Sequence, residues 1–95
     1  MHHPLHHTPN RLRKYRKMQG YSQKDVAKIL GYKRTARISL WEKGLSIPSV
    51  KNLIRLSILY NVLADQLYIE LREEFRADII SKKEDLYNCN DPWKK

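Results

Sequence analysis

Apolar side chains recur along this chain at steps of three and four, and the recurrence breaks where Gly, Pro, Asn and Ser collect. From Asn10, read as an N-cap, the run R-L-R-K-Y-R-K-M puts Leu12, Tyr15 and Met18 on one stripe of a basic helix that Gly20 ends. Ser22 opens a second helix with Asp25 three residues on, a short-armed capping box, and Val26, Ile29 and Leu30 face inward as far as Gly31. Ala27 is small where two helices joined by a tight turn bring their backbones together. A third helix is predicted from Arg34 or Thr35 to Lys43, with Ile38 and Trp41 three apart on its buried face and Gly44 as its stop. Ser49 caps a fourth, in which Val50, Leu53, Ile54, Ser57 and Ile58 trace a helical period to Tyr60, with Asn61 in a left-handed terminal position. Residues 63 to about 87 then carry Leu67, Leu71, Phe75 and Ile79 at four-residue steps among Glu, Arg and Asp, which reads as one long amphipathic helix.

The pattern predicts an all-α chain: a compact five-helix unit over 10–68, a helical extension over 69–87, a disordered His-rich arm over 1–9 and a frayed tail over 88–95. With 95 residues there is room for one small core. Cys89 has no partner for an internal disulfide, and the His pairs of the arm lack a Cys or carboxylate at ligand spacing, so neither a metal nor a cofactor is expected. Apolar runs fall far short of the ~20 residues that cross a bilayer, and a cytoplasmic protein without membrane contact is expected.

The second and third helices form a helix-turn-helix, whose second member fits the DNA major groove. Charge sharpens that reading. Residues 1–60 hold 13 Lys and Arg against two acids, Asp25 and Glu42, whereas residues 61–95 hold six against eight, so the basic field belongs to the helix-turn-helix half. No Ser-His-Asp set, apolar carboxylate pair or Gly-rich phosphate loop is present, so no enzyme is expected. Basic helical surfaces also bind RNA, but no aromatic platform for splayed bases is visible here.

The run Arg16, Gly20, Tyr21, Ser22, Gln23, Val26, Ala27, Leu30, Gly31, then Ile38, Ser39, Trp41, Glu42, Gly44, then Pro48, Ser49, Val50, Leu53 resembles the lambda-repressor and Cro-like, or Xre-type, helix-turn-helix family over residues 11–68. The resemblance implies a dimer on a palindromic double-stranded operator with the third helix as reader, and relatives that are repressors, phage or plasmid regulators, or antitoxins. By position it implies phosphate contacts from Gln23 and Lys43 and base-facing places for Thr35, Ala36 and Leu40, with Lys33 and Ser39 completing the surface. Arg34 and Arg37 flank these and suit guanine or phosphate equally; Ala36 and Leu40 either meet thymine methyls or are neutral filler. It also implies a structural pair between Arg16 and Glu42, with Trp41 in the core.

Two departures stand out. The stretch from Gly31 to Ile38 is one residue longer than the family spacing, and Leu63 occupies a cap position usually held by Ser or Thr. The last stripe, Leu67, Leu71, Phe75 and Ile79, has three destinies open to it: it joins two copies into a homodimer, folds back on its own domain, or, in an antitoxin-type protein, binds a different protein.

Overall fold

A computed structural model describes residues 7–88. Among these residues there are six helices and no strand: α1 Leu12–Met18, α2 Gln23–Leu30, α3 Ala36–Lys43, α4 Val50–Tyr60, α5 Ala64–Leu67 and α6 Ile69–Asn88. The capping box at α2 closes in both directions, Asp25 N donating to Ser22 Oγ at 2.9 Å and Ser22 N to Asp25 Oδ2 at 2.8 Å. The Asp25 carboxyl is held below its usual pKa, chiefly by the bond from Ser22 N–H and next by the Ser22 hydroxyl. Asn52 N donates to Ser49 Oγ at the start of α4, and Asn61 ends that helix at φ 56°.

The core is Leu12, Val26, Ala27, Leu30, Ile38, Trp41, Leu56, Tyr60, Leu67 and Tyr68, drawn from α1 to α5 and the residue after it. Ala27 lies inside it, as its small size predicts. Met18 and Ile29, however, are exposed: α1 buries Leu12 and Arg16, and α2 buries Val26, Ala27 and Leu30. In α4 the inward row is Asn52, Leu56 and Tyr60, whereas Val50 and Ile58 are each 75% exposed and Ile54 also faces out. Leu53 packs against the core as expected, but the centre of the inward row is shifted onto Asn52, a polar residue that an apolar period does not place inside and that is held there by its bonds to Tyr32 and Arg55.

The N-terminal arm corrects a second expectation. His7, Thr8 and Pro9, expected to be disordered, form a strap across the C-terminal end of α3; residues 1–6 of the arm, and the tail after Asn88, lie outside the described residues. The strap docks there because the last carbonyls of α3 have no partners within the helix. Thr8 N donates to Gly44 O at 2.9 Å, Asn10 Nδ2 reaches Trp41 O at 3.1 Å and Glu42 O at 3.4 Å, and the His7 ring meets Lys43 O. Asn10 Oδ1 also accepts from Leu12 N at 3.0 Å, so Asn10 serves the start of α1 from one residue further out than an N-cap.

The single helix expected over 63–87 is broken at Tyr68 into α5 and α6. At the break the Leu67 carbonyl accepts from Arg11 N at 2.8 Å, a bond to the segment that joins the strap to α1. Leu67 itself is fully buried, so it leaves the stripe expected to dimerise and belongs to the domain core. Beyond Leu71 every described residue of α6 is exposed. The radius of gyration is 17.6 Å, against about 12 Å for a compact chain of this length, because α6 projects from the domain.

Candidate DNA-binding surface

Burial of Ile38 and Trp41 fixes the rotation of α3 and turns Ala36, Leu40 and Lys43 to solvent, with Arg37 exposed at one margin and Ser39 half-buried at the other. Lys33 and Arg34 are exposed in the preceding turn, and Thr35 is half-buried at the start of the helix. Gln23, Ser39 and Lys43 line one polar recess together with Arg13, Arg16 and Glu42. Lys33, Arg34, Ala36 and Arg37 line a second, around Tyr32.

Glu42 organises the first recess. Its carboxylate accepts from Arg16 Nε at 2.6 Å and Arg16 Nη2 at 3.1 Å, and from Gln23 Nε2 at 3.0 Å. The bond to Glu42 raises the pKa of Arg16 above its usual value. Gln23 Nε2 keeps a second hydrogen for another acceptor. Both acids of residues 1–60 are thus engaged, Asp25 in its capping box and Glu42 with Arg16, and Arg13, Lys33, Arg34, Arg37 and Lys43 form no ion pair among the described residues.

Tyr32 organises the second. It sits in the lengthened turn, its ring edge-on to Trp41 at 6.2 Å and its hydroxyl accepting from Asn52 Nδ2 at 2.8 Å. The Arg37 guanidinium lies over that ring, 4.9 Å from its centre. Arg55 completes the support, donating to Asn52 Oδ1 at 3.1 Å and Leu30 O at 2.9 Å.

Sequence reasoning missed Tyr32 and Arg13 as parts of this surface. Arg13 was visible only as one cation among several on a basic helix, and Tyr32 only as a letter in a lengthened turn.

A helix-turn-helix family model matches residues 12–67, more than half of the chain. The chain belongs to the Cro/C1-type, Xre-like helix-turn-helix family. This helix-turn-helix family is one of DNA-binding regulators, generally without enzymatic activity. The match ends at Leu67, the last residue of α5, and leaves α6 outside. No curated protein and no solved structure matches the chain. Among the described residues no helix is long and apolar enough to cross a membrane.

Proposed function

We propose that this helix-turn-helix protein is a sequence-specific transcriptional regulator, a repressor that binds a palindromic operator as a homodimer with α3 in the major groove. The observation that carries the reading is the rotation of α3: Ile38 and Trp41 are buried while Ala36, Arg37, Leu40 and Lys43 stay exposed beside Lys33 and Arg34, which form no ion pair among the described residues. In this reading Gln23, Lys43 and Arg13 contact phosphates, and Lys33, Arg34, Thr35, Ala36, Arg37, Ser39 and Leu40 face the groove.

Selection of bound sites from a random duplex pool tests it. A recovered palindrome with half-sites about one helical turn apart supports the proposal. Equal affinity for all duplexes overturns sequence specificity, and absence of binding at low salt overturns the DNA role. Affinity for the selected site should fall steeply with salt, with a log–log slope of about −0.9 for each phosphate neutralised.

The exposed α6 also supports a second reading, an antitoxin-type protein that binds DNA through α3 and a different protein through α6. Co-purification of a second protein that dissociates when α6 is removed would favour it over the homodimer.

A further inference from the structure

α6 has 20 residues and buries none of them. An isolated helix of this length is marginal in water, so its side chains call for a partner surface. At about 100° per residue, Leu71, Phe75, Ile79 and Leu86 fall within roughly 80° of arc, with Lys82 among them, while Ile80 and Tyr87 lie on the opposite side of the helix. On one flank of this stripe stand Glu74, Asp78 and Asp85; on the other stand Arg72, Arg76 and Lys83. Neither flank contains a charge of the opposite sign. Arg72 pairs with Asp65 and Glu73, and Asp78 with Lys82, whereas Glu74, Arg76, Lys83 and Asp85 form no ion pair among the described residues.

We propose that α6 pairs with α6 of a second copy in parallel, because only that direction sets the acidic flank of each helix against the cationic flank of the other. In a parallel two-stranded pair the two flanks of the seam face opposite flanks of the partner; in an antiparallel pair each flank faces its own kind. With Phe75, Ile79, Lys82 and Leu86 on the seam, Asp78 lies opposite Lys83 of the second copy, five residues on, twice by symmetry. Lys82 in the seam limits tightness and disfavours shifted registers.

The stripe is continuous with the domain. Leu71 and Phe75 also line a groove with Ile47, Leu53, Ala64 and Tyr68; the Tyr68 hydroxyl is buried and has no hydrogen-bond partner among the described residues. A parallel pair places both domains at one end of the paired helices, where two copies of α3 can address one duplex. The inference deepens the homodimer reading and shares its fate on that point, but its test does not depend on DNA.

Sedimentation of the full chain with Asp78→Lys, Lys83→Asp and the double exchange tests it. Each single change should weaken dimerisation about tenfold, and the double change should restore it to near the original value. Far-UV circular dichroism checks that each variant keeps its helices. A monomeric parent protein, single changes without effect, or a double change no better than either single overturns the parallel pair. Affinity for an isolated half-site, measured on the same variants, stays unchanged if the DNA reading holds, whichever way the pairing test falls.

Discussion

The Arg16 guanidinium grips the Glu42 carboxylate as a fork, Nε to Oε2 at 2.6 Å and Nη2 to Oε1 at 3.1 Å, with side-chain exposures of only 8% and 5%. Arg16 Nη1 also donates to Tyr21 O at 2.9 Å, and Gln23 joins Glu42 from the start of α2. One ion pair therefore ties α1, the α1–α2 turn and the end of α3 into a single unit. Glu42→Ala leaves a buried guanidinium without its counter-charge and should cost about 3–5 kcal/mol, seen as a melting temperature lower by more than about 10 °C. An unchanged melting temperature would show that the pair is dispensable.

That pair was legible in the sequence through the family resemblance, and so were the capping box, the burial of Ile38 and Trp41 and the left-handed Asn61. The pair came from the resemblance alone, since its partners lie 26 residues apart, whereas the others rest on local signals: a spacing, a cap or a residue suited to one backbone region. What was not legible depends on packing between distant segments. The phase of α4 was misread because its inward row includes the polar Asn52, buried through bonds to Tyr32 and Arg55 that lie outside any apolar period. The strap over α3 and the break at Tyr68 arise from backbone bonds, Thr8 to Gly44 and Arg11 to Leu67, that no side-chain pattern announces.

Gly44 adopts φ 77°, and a Cβ there would lie 2.7 Å from Thr8 N and closer still to Thr8 O. Gly20 has a similar φ of 82° but open space around it. Gly44→Ala should therefore cost about 2 kcal/mol or more, from the left-handed backbone and the displaced strap together, and Gly20→Ala only about 1 kcal/mol. Urea unfolding of the two variants checks the difference; equal losses would mean that the strap contributes nothing.

Asp25 titrates below the ordinary carboxylate range because the folded chain bonds its ionised form. A depressed folded pKa means that the contribution is complete above the unfolded value, about 3.9, and is lost as pH falls through the folded one. The urea midpoint of the parent should thus fall more steeply below about pH 4 than that of Asp25→Asn. Parallel curves for the two proteins would refute the assignment.

Arg37 rests on Tyr32, whereas Arg34 makes no bond among the described residues. Arg37→Ala or Arg34→Ala should reduce discrimination between cognate and random duplexes by about 1–3 kcal/mol where that residue reads a base, and weaken all duplexes alike where it holds a phosphate. Tyr32→Leu, which removes the ring's support, should reproduce part of the Arg37→Ala effect and none of the Arg34→Ala effect. Binding measured on both duplexes at one salt concentration separates these outcomes.

The domain core closes at Leu67 and Tyr68, and Leu71 packs against it, so a chain ended after Arg72 retains the contacts that hold α1 to α5 together. It should unfold cooperatively and bind an isolated half-site as the full chain does. On a palindrome the two copies then bind independently, and the loss of linkage should weaken binding about a hundredfold. A truncated chain that binds the palindrome as tightly as the parent would show that α6 takes no part in assembling the two reading helices.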